Sequence, residues 1–449
     1  MIPRLFSILL IPLFLTPAVT KSQHRGEGDS FLNPYSIEFH AWSTPGDNTG
    51  TAEILYRIRY DFFIFSRSSP ASENFTADAE ITIELLNRDN GSVFRKIIQT
   101  DLSSATSEAD SLRSRNLQGA VTARIAPGPY TIHCDIIDRQ SRRQISDRIP
   151  GLVIPDGIPA SPSLDDILFT ETSGDTSRSW IPVNRGGNLV FGNNAFCVLR
   201  LRCSDSLRDL HTVLTITRPG REGGPADTIT TDSLPRIIPP DGRIFRPVFS
   251  DTSADYRMER SSAPGMRVIV FTVPGDTLEQ GDYEFSVSCR SGAHTVVSRH
   301  QHVAIIWPDK PRTLRNRTTA VEALEYLLPP GDFDRLSHAK GDEQDRLFRK
   351  FWKDLDPTPR TAWNELQAEY YRRADIAMAQ YATYHQPDGM RTDRGRIYML
   401  YGPPSSVDRE LNPGGAPQEI WSYAGLHRQF IFRDNSRQGN YTLVQEIGH

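Results

Sequence analysis

Residues 351–404 read FWKDLDPTPRTAWNELQAEYYRRADIAMAQYATYHQPDGMRTDRGRIYMLYGPP, and the rest of the chain is organised around them. Between 358 and 385, apolar or aromatic residues recur every three or four positions, which predicts one face of a long amphipathic helix. Thr358 is a suitable N-cap with Pro359 at the first helical position. The Pro-Asp-Gly run at 387–389 ends the helix.

A short strand is predicted at 396–401, directly after this glycine-punctuated turn. Short amphipathic helices at 320–328 and 344–352 precede the long helix. Further strands are predicted at 419–423, 429–432 and 441–444. Residues 313–449 therefore predict an α+β domain with one long amphipathic helix and a small antiparallel sheet.

Polar side chains are dense in this unit, and they are the candidate functional or structural cluster: Asp356, Asn364, Glu365, Glu369, Arg372, Arg373, Thr392, Asp393 and Arg394. Glu365, Glu369 and Arg373 follow one another at single helical turns, so one stripe carries two carboxylates and a guanidinium. Paired carboxylates suit general acid and base catalysis or a bound cation. The alternative, which we favour, is a brace between helix and sheet, in which Asp393 pairs with Arg372 or Arg373.

These motifs resemble the GWxTD-domain family of bacterial envelope proteins. The matching positions are Trp352, 356–359, Thr361, 364–365, 369–372, 389–395, 402–404 and 419–423. Met390 stands where the family pattern has tryptophan, while the motif glycines Gly389, Gly395 and Gly402 are present. The resemblance implies an exported protein with this architecture, and the family has no established activity.

Two blocks with a period of two precede this domain, at 33–154 and 165–307. The stretch GPYTIHCDI at 128–136 is similar to GDYEFSVSC at 281–289, each a glycine turn followed by a strand with tyrosine just inside it. Short strands with frequent turns predict two immunoglobulin-like all-β sandwiches, by analogy with the tyrosine corner of that fold. The predicted chain is thus two sandwiches followed by the α+β domain.

Residues 1–22 have the pattern of a secretory signal peptide, with Arg4 before an apolar run at 5–15 that is too short to span a bilayer. No cysteine lies near the expected cleavage site, so we predict that the protein is not a lipoprotein. No later run reaches transmembrane length. We expect an exported protein in the periplasm, associated with the outer membrane, or on the cell surface.

The cysteines are candidates for one disulfide bridge. Cys197 and Cys203 share one face of a predicted strand of the second sandwich, and Cys289 lies on the inward face of another, so one of the two could form a bridge with Cys289. We favour Cys203, with buried free thiols as the alternative. Cys134 is expected to be a small core residue. The sequence has no paired CxxC and no HExxH, and we predict neither a metal nor a cofactor.

Two functions remain open at this stage. The first is a non-enzymatic binding, interaction or structural module of the envelope that docks another envelope protein through the 313–449 domain. The second is an exported hydrolase that uses the carboxylates of that domain. The net charge of −4 gives no basic footprint for nucleic acid, which we do not expect as a partner.

Overall fold

A computed structural model describes residues 33–43, 48–67, 69–70, 72–155, 162–172, 179–202, 210–220, 227–232, 236–237, 243–260, 266–291, 294–410 and 415–448. The predicted signal peptide at 1–22 and Cys203 lie outside the described residues. The described residues up to Gly275, with Gln280–Ile306, form one compact unit. Asp276–Glu279 and the chain from Trp307 onward form the second.

The strands have the following bounds: β1 Tyr35–Ser43, β2 Gly50–Arg59, β3 Phe75–Leu86, β4 Ser92–Ser104, β5 Asn116–Ile125, β6 Gly128–Asp138, β7 Gln144–Ile154, β8 Ser163–Leu164, β9 Leu168–Thr172, β10 Ser179–Pro182, β11 Leu189–Val190, β12 Ala195–Arg202, β13 Leu210–Arg218, β14 Asp227–Asp232, β15 Arg236–Ile237, β16 Arg243–Ser250, β17 Ser253–Arg260, β18 Met266–Val273, β19 Gly281–Ser291, β20 His294–Ile306, β21 Ser406–Glu410, β22 Gln418–Tyr423, β23 Arg428–Arg433 and β24 Thr442–Gly448.

The helices have the following bounds: α1 Ala109–Arg113, α2 Arg312–Arg315, α3 Arg317–Glu322, α4 Pro330–His338, α5 Gly341–Asp354, α6 Glu365–Gln380 and α7 Asp393–Tyr401. Single 3-10 turns lie at Tyr60–Phe62, Ala323–Tyr326, Gly389–Arg391 and Ala424–Leu426. None of the described helices is long and apolar enough to cross a membrane.

The first β-sandwich pairs a three-stranded sheet, β1-β2-β5, with a four-stranded sheet, β4-β3-β6-β7. Alternate residues of their strands fill one core between the two sheets, because side chains of a strand point to opposite faces in turn. Tyr130, just inside β6, donates its hydroxyl hydrogen to the carbonyl oxygen of Ala126 at 2.9 Å. This hydrogen bond anchors the start of the G-x-Y strand β6.

The second β region has an eight-stranded sheet and a five-stranded sheet. The larger sheet runs β15-β18-β12-β9-β10-β17-β16 with β8 beside β12, and the smaller runs β11-β20-β19-β13-β14. The rings of Phe169 and Phe285 meet edge to face at 5.3 Å, which packs β9 against β19. The second β region is therefore built from two sheets and not from one.

Strand β2 is buried on both of its faces. Ile54 and Tyr56 point into the core of the first sandwich. Leu55, from the other face, belongs to an apolar cluster with Trp180 and Val198 of the eight-stranded sheet. The three-stranded sheet is therefore a shared layer between the two β regions.

The sequence pattern is wrong about two details of this unit. Alternating apolar residues at 56–64 predict one continuous strand, but the strand is replaced after Arg59 by the 3-10 turn Tyr60–Phe62, and Ile64 is exposed. The serine-rich composition of 101–118 predicts an exposed loop, but this run holds the end of β4, helix α1 and the start of β5.

The second unit joins helices α2–α7 to the four-stranded antiparallel sheet β21-β22-β23-β24. Tyr370, Tyr371 and Ala374 of α6 pack in a core with α3 and α5. Tyr398 of α7 packs on the sheet with Trp421. The α+β prediction is confirmed at this level.

The long helix is shorter at both ends than its periodicity predicts. Asn364 caps it by accepting the Gln367 N–H at 2.8 Å, whereas Thr358 lies in a preceding turn. The turn forms because Asp356 accepts the Thr358 N–H at 2.8 Å before the chain has entered the helix. The exposed Tyr384 lies beyond the helix end.

The predicted strand at 396–401 is wrong, because this segment is the second half of helix α7. Thr392 caps the helix by accepting the Gly395 N–H at 3.1 Å, and Asp393 places a carboxylate in its first turn. Gly402 ends the helix with a φ of 79°, where a side chain would be strained. The apolar run at 397–400 is compatible with a strand, but the cap residues at its two ends favour the helix.

Two motif glycines allow the turn and the helices to approach closely. A Cβ atom at Gly389 would overlap the carbonyl oxygen of Ala377 in α6, and one at Gly395 would overlap the carbonyl oxygen of Gly389. Both overlaps are with backbone, which has little freedom to give way. The glycines of the motif are therefore required by packing.

We predict that Gly395→Ala destabilises the second unit by about 1–3 kcal/mol, since overpacking of this kind typically costs that much. Gly425→Ala is the matched control, because a Cβ there meets nothing within 4 Å, and a change within about 0.5 kcal/mol is expected. Calorimetry with hydrogen exchange of α7 peptides measures both. Equal effects of the two substitutions would contradict the packing account.

Candidate functional site

The predicted polar cluster divides into separate groups of contacts. The first is the turn that precedes α7. Asp388 accepts the Met390 N–H at 3.0 Å, and Met390 is buried in the core beside Tyr370. The thioether at the position of the family tryptophan thus packs in the domain core.

Thr392 and Asp393 hold the start of helix α7. The Thr392 hydroxyl donates to the Gly389 carbonyl oxygen at 2.8 Å while its oxygen accepts from Gly395. Asp393 accepts the Leu443 N–H of β24 at 2.8 Å and pairs with Arg396 at 3.4 Å. Its partner is therefore Arg396, and not the predicted Arg372 or Arg373.

Arg394 makes the most buried ion pair of the predicted cluster. Its Nη1 lies 3.3 Å from Oε2 of Glu419 in β22, with only 14% and 7% of the two side chains exposed. Nη2 donates to the Gly439 carbonyl oxygen at 3.2 Å, and the guanidinium stands 4.4 Å from the ring centre of Tyr441. Trp421 also donates its indole N–H to Glu419 at 3.3 Å. One side chain thus joins α7 to the sheet.

The stripe on helix α6 is a surface network. Glu369 accepts from Nε of Arg372 and Nε of Arg373, each at 2.7 Å. The hydrogen bond from Arg372 is the main cause of a lowered Glu369 pKa. Glu365 is exposed and accepts the Thr358 hydroxyl hydrogen at 2.7 Å. Glu365 and Asp393 have different hydrogen-bond partners in the structure, and these two carboxylates do not converge on one site.

The remaining predicted residues have local contacts. Asn364 donates its amide N–H to the Trp352 carbonyl oxygen at 2.7 Å, and Asp356 binds the turn at Thr358. Gly402 passes beside the Arg373 guanidinium, and its carbonyl oxygen accepts the Tyr423 hydroxyl hydrogen at 2.8 Å.

The described cysteines are buried. Cys134 and Cys197 carry free thiols, and burial raises the pKa of Cys134 to about 12, which keeps it protonated at neutral pH. Cys289 is also buried, on β19 opposite Thr212. Since Cys203 lies outside the described residues, the bridge between Cys203 and Cys289 stays a prediction.

A second polar site lies in the first unit, and sequence reasoning missed it. The closed part of this Glu53 cavity has a volume of about 20 Å³, and the space that includes its open mouth is about 340 Å³. The cavity is lined by His40, Ala41, Trp42, Glu53, Asp165, Asp166, Leu168, Val198, Leu199, Arg200, Phe245 and Tyr256. It lies where the three-stranded sheet meets the eight-stranded sheet. Glu53 shares its face of β2 with Leu55, Arg57 and Arg59, and because a mixed face is usually solvated, the sequence carries no signal for this site.

Glu53 lines this cavity and is fully buried. Its Oε2 accepts the Tyr256 hydroxyl hydrogen at 2.6 Å. Burial raises the pKa of Glu53, an effect opposed by the attraction of Arg200. Burial likewise raises the pKa of Asp165. The cavity therefore holds two carboxyl groups whose charge is incompletely compensated.

The second unit is thus an α+β domain in which capped helices are fastened to a small antiparallel sheet. Residues 293–448 match the family model of the GWxTD domain. The resemblance inferred from the sequence motifs is confirmed.

Other comparisons add little. No curated protein matches the sequence. The fibronectin(III)-like modules of CbhA from Clostridium thermocellum are similar at 12% identity and a TM-score of 0.15, over 61% of this chain and 95% of that one. Dimeric latent PorU from Porphyromonas gingivalis is similar at 7% identity and a TM-score of 0.17, over 61% of this chain and only 24% of PorU. These likenesses are too weak to bear on fold or function.

We predict that Glu53→Gln raises the melting temperature above that of the wild type at pH 8 and loses this advantage at pH 4. A carboxyl group with a raised folded pKa stabilises the fold fully only below its unfolded pKa near 4.5, and this stability is lost as the pH rises through the folded pKa. Glutamine keeps an acceptor for Tyr256 and carries no charge. The groups that act on Glu53 are Tyr256, Arg200, His40 and Asp165.

Differential scanning calorimetry across this pH range measures the difference between the two proteins. A Glu53→Gln protein that melts below the wild type by the same amount at both pH values would show that the ionised carboxylate is well compensated.

Proposed function

We propose that this protein is an exported bacterial envelope protein that acts as a non-enzymatic interaction or structural module and docks another envelope protein through its GWxTD domain. The observation that carries the proposal is the engagement of the motif residues Thr392, Asp393 and Arg394. Each forms hydrogen bonds or an ion pair with its own domain. Such contacts give the motif a stabilising role.

The four-stranded sheet offers a surface for docking. Strand β21 is the edge of the sheet, and all five of its residues are exposed. Val407 is the apolar residue of this edge, with 42% of its surface exposed. An edge strand presents unpaired backbone N–H and C=O groups, which an extended segment of a partner protein can bind.

The two β regions are proposed to be immunoglobulin-like modules that present this domain. The hydrogen bond from the Tyr130 hydroxyl to the Ala126 carbonyl oxygen supports this assignment for the first sandwich, because the tyrosine corner has the same kind of contact. Tyr283 occupies the matching position of the second and is buried. Because the three-stranded sheet is a layer shared by the two β regions, we propose that the two regions act together as one rigid spacer and not as independent modules.

Export is proposed from the signal-like pattern of residues 1–22. The family resemblance favours a location in the periplasm, at the outer membrane or on the cell surface.

The experiment compares Asp393→Ala and Glu365→Ala in the full-length protein, each returned to a deletion strain. Asp393→Ala removes an acceptor for the Leu443 N–H and should cost the domain about 1–3 kcal/mol. Glu365 is exposed, so its loss should cost about 1 kcal/mol or less. At growth temperatures below their melting temperatures, both variants should restore the wild-type phenotype to the deletion strain. A variant that melts at the wild-type temperature but fails to restore cellular function would instead indicate that the substituted carboxylate belongs to a catalytic site.

The docking surface is tested in the same strain with a photocrosslinking residue at Val407 in β21. The control position is Lys350, an exposed residue of helix α5. A single discrete adduct from position 407 and none from 350 is expected. Identical adducts from both positions would contradict docking at the sheet edge.

A further inference from the structure

The Glu53 cavity contains buried polar atoms that have no hydrogen-bond partner. They are Oε1 of Glu53, Oδ2 of Asp165 and Nδ1 of His40. Glu53 has none of its surface exposed, and all three residues line the same cavity. Buried polar atoms are normally satisfied, so each such atom here calls for a donor or an acceptor from outside the chain.

The cations near the cavity leave both carboxylates without a contact ion pair. The Arg200 guanidinium stacks over the Trp42 ring at 4.0 Å and attracts Glu53 and Asp165 from a distance. Arg299 pairs with Asp166, the third carboxylate of the cavity. Two acceptors therefore remain whose negative charge is only partly compensated, by Arg200 for both and also by Arg202 and Arg299 for Asp165.

The walls of the cavity are apolar. Leu168, Val198 and Phe245 are buried and form its inner surface. Trp42 and Asp165, which are only partly buried, also line it. The cavity therefore has apolar walls beside the Glu53 carboxylate.

An ammonium group suits these features better than water does. It supplies three N–H donors to the unpaired oxygens, and its positive charge compensates the desolvated carboxylates, which a neutral water molecule leaves uncompensated. Its alkyl stem would contact the apolar wall, as lysine stems do along apolar surfaces. Among the described residues, no three His, Cys, Asp or Glu side chains are grouped so as to hold a metal ion.

We propose that the Glu53 cavity binds an alkylammonium group, supplied by a small amine or by a lysine side chain. Glu53 Oε1 and Asp165 Oδ2 accept its N–H hydrogens, and the apolar wall holds the methylene chain. The site is independent of docking through the GWxTD domain.

The test is calorimetric titration of the full-length protein with n-butylammonium at pH 8 and constant ionic strength. Saturable one-to-one binding is expected, and n-butanol, which has the same alkyl chain and no charge, should not bind measurably. Glu53→Gln should weaken n-butylammonium binding at least about tenfold, because a charge-assisted hydrogen bond contributes about 1.5–3 kcal/mol. Asp165→Asn is the second variant, with the same expectation.

Asp89→Asn, a change at an exposed carboxylate away from the cavity, is the matched control and should leave binding unchanged. N-acetyl-lysine methylamide distinguishes the source: binding as tight as that of n-butylammonium indicates a lysine side chain, and weaker binding indicates a small amine. Absence of saturable n-butylammonium binding, or equal binding to the Glu53→Gln protein, would show that the cavity holds water only and would overturn the proposal.

Discussion

The ion pair between Arg394 and Glu419 is the contact on which the second unit depends. It joins helix α7 to strand β22 where both side chains are largely withdrawn from water. A buried charge is tolerated only when it is paired and hydrogen-bonded, and here the Gly439 carbonyl oxygen and the Trp421 indole complete the set. Because Arg394 lies inside the turn-helix motif, its position is set by the Thr392 cap and by the glycines that allow the close approach. The residues of the motif thus form one connected set of contacts that fastens helix α7 to the sheet.

Much of this domain could be predicted from the sequence. The period of three to four found the centre of helix α6, and the predicted strands at 419–423 and 429–432 are found in the sheet. The error at 396–401 arose because the apolar run Ile397–Leu400 fits a strand as well as a buried helix. The cap and Gly402, which decide between the two, were assigned to a turn. Periodicity is ambiguous in a segment this short.

The Glu53 cavity could not be predicted, because its residues come from distant parts of the chain. The pattern of β2 shows one apolar face and one mixed face, and a mixed face is usually solvated. In the structure this second face packs on the eight-stranded sheet, so Glu53 and Leu55 are both buried. Only the pairing of the sheets reveals that a charged side chain has been taken out of water.

The central claim, that the motif of the GWxTD domain braces helix to sheet through Arg394, is tested most directly by a double-mutant cycle. Arg394→Ala and Glu419→Ala are measured singly and together by denaturant unfolding of the full chain. Arg409, which also pairs with Glu419 but has 70% of its side chain exposed, is the control partner. The account predicts a coupling energy of about 1–3 kcal/mol between Arg394 and Glu419 and less than about 0.5 kcal/mol between Arg409 and Glu419. A coupling near zero for Arg394 and Glu419 would contradict it.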